Sequence, residues 1–235
     1  MLFEQDMLDF LHDLKKNNSK DWFTENKMRY ENSLMIPLKE LVKQLTETML
    51  RIDSEFETEP RVDRTISRIY RDTRFSKDKS LYKDRVWLTF KKKGKDKIDY
   101  PVFFFEVSPN SFFYGMGFYG ASVKSMNAIR DKIDADEKKF IQIIDEIYNE
   151  NIFSLEGDLY KRNRYQGAEE KIANWYNRKN VYLICHSENV NELFSDQFLS
   201  RLKEGYKTLA PIYHFFTDAL NEQWFKDEGF SSESP

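Results

Sequence analysis

The sequence predicts an α+β domain with a mostly antiparallel central sheet flanked by N- and C-terminal helices. Apolar residues recur at helical spacing before residue 50 and again after residue 122. Between those blocks, apolar and polar residues alternate with a period of two. The links between the alternating segments are too short for crossover helices, so neighbouring strands are expected to run antiparallel. Residues 1–225 are read as one domain and 226–235 as a frayed polar tail.

The elements follow in order. Phe3, Met7, Phe10, Leu11 and Leu14 form one face of a first helix, which Asn17-Asn18 ends. Ser19 has the chemistry of an N-cap for a second helix through Trp22, Phe23, Asn26 and Tyr30. Pro37 suits the first turn of a third, which buries Leu38, Leu41, Val42, Leu45 and Met49. Strands are predicted near 65–70, 85–91, 101–107 and 111–118. Ser122 caps the next helix, and Asp134 or Asp136 the one after it. A short helix near 169–178 and a strand at Val181–His186 precede a helical stretch from Phe194 to Leu220. Pro211 is expected to break that stretch.

Composition narrows the function classes. With 40% hydrophobic and 33% charged residues, the chain reads as neither disordered nor membrane-embedded. No run approaches the roughly 18 apolar residues of a membrane span. The opening MLFEQDMLDF has no basic region followed by an apolar run, so no signal peptide is expected and the cytoplasm is the expected location. The single cysteine, Cys185, excludes an internal disulfide and a Cys-rich zinc site, and in its apolar run it is expected to be a buried thiol. His12, His186 and His214 are scattered and fit no metal spacing. No cofactor is implied. Gly115-x-Gly117-x-x-Gly120 matches a dinucleotide fingerprint only in outline, because no βαβ unit surrounds it. The Lys91–Lys97 run reads as a solvated hairpin tip.

The net charge of −3 hides an asymmetry. Residues 61–97 hold six Arg, eight Lys and five Asp, a local charge of +9, so the remainder carries −12. Within this segment, Arg68, Arg71, Arg74, Lys79 and Tyr82 are the candidate ligand-binding residues, with Asp72 and Asp78 as orienting carboxylates. Arginine offers a planar fork of donors suited to carboxylate or phosphate, lysine a compact charge, and tyrosine a hydroxyl. If residues 66–74 are extended, which Ile66, Ile69 and Thr65 favour, Arg68, Asp72 and Arg74 share a face. If they are helical, Arg61, Arg64, Arg68 and Arg71 form one stripe. Asp72, set among arginines, is expected to have a lowered pKa and to be a poor general base. Phe75 and Leu81 are expected to anchor the loop in the core.

The stretch Arg68, Arg71, Asp72, Arg74, Phe75, Asp78, Lys79 and Tyr82 resembles the signature R-x-x-R-D-x-R-F-x-x-[DN]-K-x-x-Y of domain of unknown function 2461, a mainly bacterial family. The opening Phe3, Phe10, Leu11, Leu14, Asn17, Asn18, Trp22 and Phe23 resembles the same family's N-terminal pattern. Gly115-Met-Gly117-Phe-Tyr119-Gly120 departs from the triple glycine common there. The resemblance points to the site and carries no activity with it.

Three functions compete. The first is a site, enzymatic or not, for a phosphorylated or carboxylated small molecule held by the signature. The second is a nucleic-acid or acidic-protein binding face over residues 61–97, which a sequence pI near 5.8 disfavours. The third is a scaffold in which the arginines are structural. The sequence favours the first, assigns no catalytic residue and leaves the oligomeric state open.

Overall fold

The computed structural model describes residues 2–74, 77–94, 99–165, 167 and 169–227. Helix α1 (Gln5–Lys16) buries Met7, Leu8, Phe10, Leu11 and Leu14, the face its spacing predicts. The Ser19 hydroxyl accepts from the Trp22 amide at 3.3 Å and so caps α2 (Lys20–Glu25). A short α3 (Lys27–Arg29) passes through a π-helical turn (Tyr30–Met35) into α4 (Ile36–Ile52), with Pro37 in its first turn.

The sheet is antiparallel, with strands β1 (Val86–Phe90), β2 (Val102–Ser108), β3 (Ser111–Gly117), β4 (Ser154–Glu156) and β5 (Tyr182–Ser187) in the order β1-β2-β3-β5-β4. Leu88 faces Phe105 and Phe90 faces Phe103 across the β1–β2 pair, so the inward sets coincide. The expected strand at 65–70 is instead a pair of isolated bridges, Ile66 with Leu88 and Tyr70 with Tyr82. The backbone changes partner within four residues, so no ladder propagates along either one. The three-residue β4, with Ser154 and Glu156 exposed, was not anticipated.

Ser122 caps α5 (Val123–Ala135), and Asp136, one of the two expected caps, starts α6 (Glu137–Asn149). Helix α7 (Glu170–Tyr176) and a 3₁₀ turn (Val190–Phe194) lead to α8 (Phe198–Asp227). Pro211 lies inside α8 and does not break it, contrary to expectation. Its ring sits on the exposed side, while Leu209, Ile212 and Tyr213 are fully buried and hold the helix through the missing hydrogen bond. The polar tail from residue 228 lies outside the described residues.

The chain divides into two compact units. The first comprises Met1–Lys91, Phe103–Tyr114 and His186–Glu204. Its core stacks rings: Phe105 lies 6.1 Å from Phe3 and 5.7 Å from Phe198. The second comprises Lys92–Val102, Gly115–Cys185 and Gly205–Pro235. There Phe140 meets Trp175 edge-on at 5.5 Å, and the Trp175 indole donates to the Tyr148 hydroxyl at 2.9 Å.

Several local expectations change. A Cβ on Gly115 would lie 1.9 Å from the Leu183 carbonyl oxygen, so close strand approach accounts for this glycine. Cys185 is partly exposed rather than buried, since the inward alternation of β5 fades after Leu183. Lys92, expected at a solvated tip, is buried with its ammonium 5.4 Å from the Tyr100 ring centre. The rest of that tip, residues 95–98, lies outside the described residues.

Candidate functional site

The signature is a closed loop in the first unit. The Arg71 amide donates to the Leu81 carbonyl at 2.9 Å, and the Lys83 amide to the Ile69 carbonyl at 2.8 Å. Between these rungs both aspartates fold the backbone. Asp72 accepts from the Arg74 amide at 3.1 Å and Asp78 from the Ser80 amide at 2.9 Å, each two residues on. The Lys79 ammonium reaches across to the Thr73 carbonyl at 2.7 Å. Phe75, one of the expected anchors, lies outside the described residues. Leu81, the other, is exposed. Antiparallel pairing turns Tyr82 inward instead, so its neighbour in sequence must turn out.

Tyr82 is 2% exposed, with its ring stacked on Phe23 at 4.3 Å and 5.0 Å from Tyr70. Burial and the neighbouring Tyr70 push its hydroxyl pKa up. Its amide and carbonyl face away from the 69–71 segment and are taken by one side chain. Asn18 accepts from the Tyr82 amide at 2.9 Å and donates to its carbonyl at 2.9 Å. The two patterns singled out in the sequence therefore meet at this contact. Lys15 adds an ion pair to Asp84 at 3.0 Å.

The candidate cations fall into groups. Arg71 is the least exposed at 24%, and its guanidinium donates to Ser80 Oγ at 3.0 Å and meets Asp78 at 3.1 Å. Arg68 pairs with Asp63, and its carbonyl accepts from the Lys83 ammonium at 2.6 Å. Lys83 also lies 4.3 Å over the Trp87 ring, and burial, then Arg71 and Arg68, lower its pKa. Three positive groups, Arg68, Arg71 and Lys83, thus lie close enough to repel, and Lys83 was not among the sequence candidates. Arg74 and Asp72 form an exposed pair at 2.7 Å. Arg74's hydrogen bonds hold the Asp72 carboxyl down at about 2, so it stays ionised and is a weak base. Glutamates from outside the segment join in: Glu57 and Glu59 lie within 3.6 Å of Arg64, and Glu106 is 3.3 Å from Arg85.

Beside Arg68 opens a depression of about 600 Å³, walled by Phe23, Met28, Tyr30, Val62, Ile69 and Tyr70, with Lys27, Glu31 and Arg68 also lining it. Burial, then Glu31 and Tyr70, push the Tyr30 hydroxyl up to about 12, so it is a protonated donor at neutral pH. Sequence reasoning missed this aromatic wall. Trp22-Phe23 and Tyr30 read there as helix-face residues, and only the fold sets them against Tyr70. Among the described residues, no three His, Cys, Asp or Glu side chains group as metal ligands, and no helix is long and apolar enough to cross a membrane.

A family model described as conserved hypothetical protein (DUF2461) matches residues 6–215. No curated protein matches the chain.

Proposed function

The chain belongs to the conserved hypothetical family DUF2461, and we propose that its first unit binds an anionic small molecule with an apolar body. The observation that carries this reading is the apolar, aromatic-walled depression bordered by Arg68. The anionic group, phosphate or carboxylate, sits toward Arg68, with Arg71 and Lys83 behind it. The apolar part lies on Tyr70, Phe23 and Met28. Arg74 and Lys79 close over the ligand from the exposed loop, and Tyr82 holds the wall from below. The reading is one of binding and assigns no catalytic residue.

A second reading has its own support: the three signature arginines already meet aspartates, Arg68 with Asp63, Arg71 with Asp78 and Arg74 with Asp72. In that case they brace the loop and no ligand is needed. A thermal-shift screen with nucleotides, sugar phosphates, aromatic carboxylates and dicarboxylates separates the two. A ligand at a hundredfold excess over its Kd stabilises the protein by about 2.7 kcal/mol. Arg68→Ala should abolish that shift and leave the unliganded melting temperature nearly unchanged, since its ion pair is exposed. No shift with any ligand, together with a marked destabilisation in Arg71→Ala, would leave the bracing role. A shift by duplex DNA alone, steeply salt-dependent, would favour a nucleic-acid face.

A further inference from the structure

The second unit holds another basic cluster, and it lacks the carboxylates that surround the signature. Arg130 is a charged residue only 4% exposed. Its guanidinium donates to the Tyr176 carbonyl at 2.9 Å, the Arg178 carbonyl at 2.6 Å and Asn127 Oδ1 at 2.9 Å. It also lies 5.4 Å from the Tyr160 ring centre and 5.7 Å from that of Tyr176. Arg178 donates to the carbonyls of Gly157 at 2.6 Å and Leu155 at 3.2 Å, and its buried Nε has no partner. Two more cations converge on the same tyrosine: the Arg164 guanidinium 4.6 Å and the Lys179 ammonium 5.9 Å from the Tyr160 ring centre.

Among the described residues none of these four cations has a carboxylate within ion-pair distance. One acid is tied in indirectly, the Tyr176 hydroxyl donating to Asp134 at 3.0 Å. Carbonyl dipoles and ring faces offset part of the cost of burying Arg130 but supply no net negative charge. Burial and the nearby Arg164 lower its pKa, the direction expected of a cation short of counter-charge. Every signature arginine, by contrast, has its aspartate.

We propose that Arg130, Arg164 and Lys179, gathered around Tyr160, with Arg178 beside them in the chain and tied to Arg130 through its carbonyl, form a second anion site that takes the phosphate group of a small phosphorylated molecule. Phosphate fits better than carboxylate on two counts. Its charge approaches −2, and its three free oxygens accept from donors arriving in different directions, whereas a carboxylate presents two oxygens in one plane. Arg130 and Arg178 are fixed by the backbone carbonyls they hold and supply a rigid positive base. Arg164 and Lys179 are exposed and free to close on the ligand. The Tyr160 ring offers a flat surface to the organic part.

The test uses the full chain and inorganic phosphate as probe, titrated calorimetrically at constant ionic strength against a chloride control. Wild type should bind saturably, and the double variant Arg164→Gln/Lys179→Gln should bind at least tenfold more weakly. Both side chains are exposed, so the variant should melt as wild type does. Arg130→Gln should also lose binding, but it is read only if folded. Arg68→Gln distinguishes this site from the one in the first unit. Loss of binding in Arg68→Gln, with retention in the double variant, would overturn this site and leave the other standing. No saturable binding to wild type, or binding only to duplex DNA, would overturn it as well.

Discussion

Asn18→Ala should destabilise the first unit far more than its position in a surface loop suggests. The Tyr82 amide and carbonyl point away from their strand-like partner, and the Asn18 carboxamide satisfies both at 2.9 Å. Alanine leaves the amide with no acceptor and the carbonyl with only a long 3.5 Å contact from Ser80 Oγ. Tyr82 is 2% exposed, so water does not replace the lost partner easily. At about 1–3 kcal/mol for each buried group left unsatisfied, and with the carbonyl partly served, the loss is about 2–4 kcal/mol. With a urea slope of about 2 kcal/mol/M, the unfolding midpoint falls by about 1–2 M. Tryptophan fluorescence reports it, because Trp22 lies three residues beyond the Ser19 cap. Asn18→Asp accepts from the amide but cannot donate to the carbonyl, so its midpoint should fall between wild type and alanine. Native-state hydrogen exchange should show the Tyr82 amide among the most accelerated. A change below about 0.5 kcal/mol in Asn18→Ala, the range of ordinary surface substitutions, would refute the reasoning.

Pro211→Ala should raise the melting temperature. The residue is exposed inside α8, and a helix-interior proline costs about 3 kcal/mol, less the unfolded-state entropy it removes, which leaves a net gain of about 1–3 kcal/mol. An unchanged or lower melting temperature would show that α8 needs the irregularity. Asp6 accepts from the Arg29 guanidinium and from Ser33 Oγ, and Arg29 first among the causes holds its pKa below the ordinary 3.8. A carboxylate depressed on folding contributes stability that is fully present above that ordinary value and is lost as pH falls through the lower folded one. Asp6→Asn should therefore cost about 1 kcal/mol at neutral pH, the pair being partly exposed, and flatten the acid side of the stability profile. Urea midpoints between about pH 7 and 2.5 that fall in parallel for the two proteins would contradict this.

The sequence determined what short-range physics controls. Ser19, Ser122 and Asp136 cap helices because a cap acts within three residues of its own chain. Helical faces and four of the five predicted strands followed from spacing, because side chains three to four apart on a helix, or two apart on a strand, share a face. The signature itself was legible as composition: arginines, a lysine and a tyrosine too dense to be incidental. Only the tertiary structure decided which charges meet which. Asn18 and Tyr82 stand 64 residues apart, and nothing local says that one carboxamide serves the other's backbone. Leu81 and Tyr82 exchanged their expected places because one unit of register reverses the face of every side chain. The +9 segment looked under-neutralised, yet Glu57, Glu59 and Glu106 come from outside it. The basic cluster that lacks carboxylate partners among the described residues is drawn from helix α5 and residues 160–179, a stretch that sequence reasoning did not single out. Coulomb energy depends on distance through space and on local burial, and both are set only when the chain has closed.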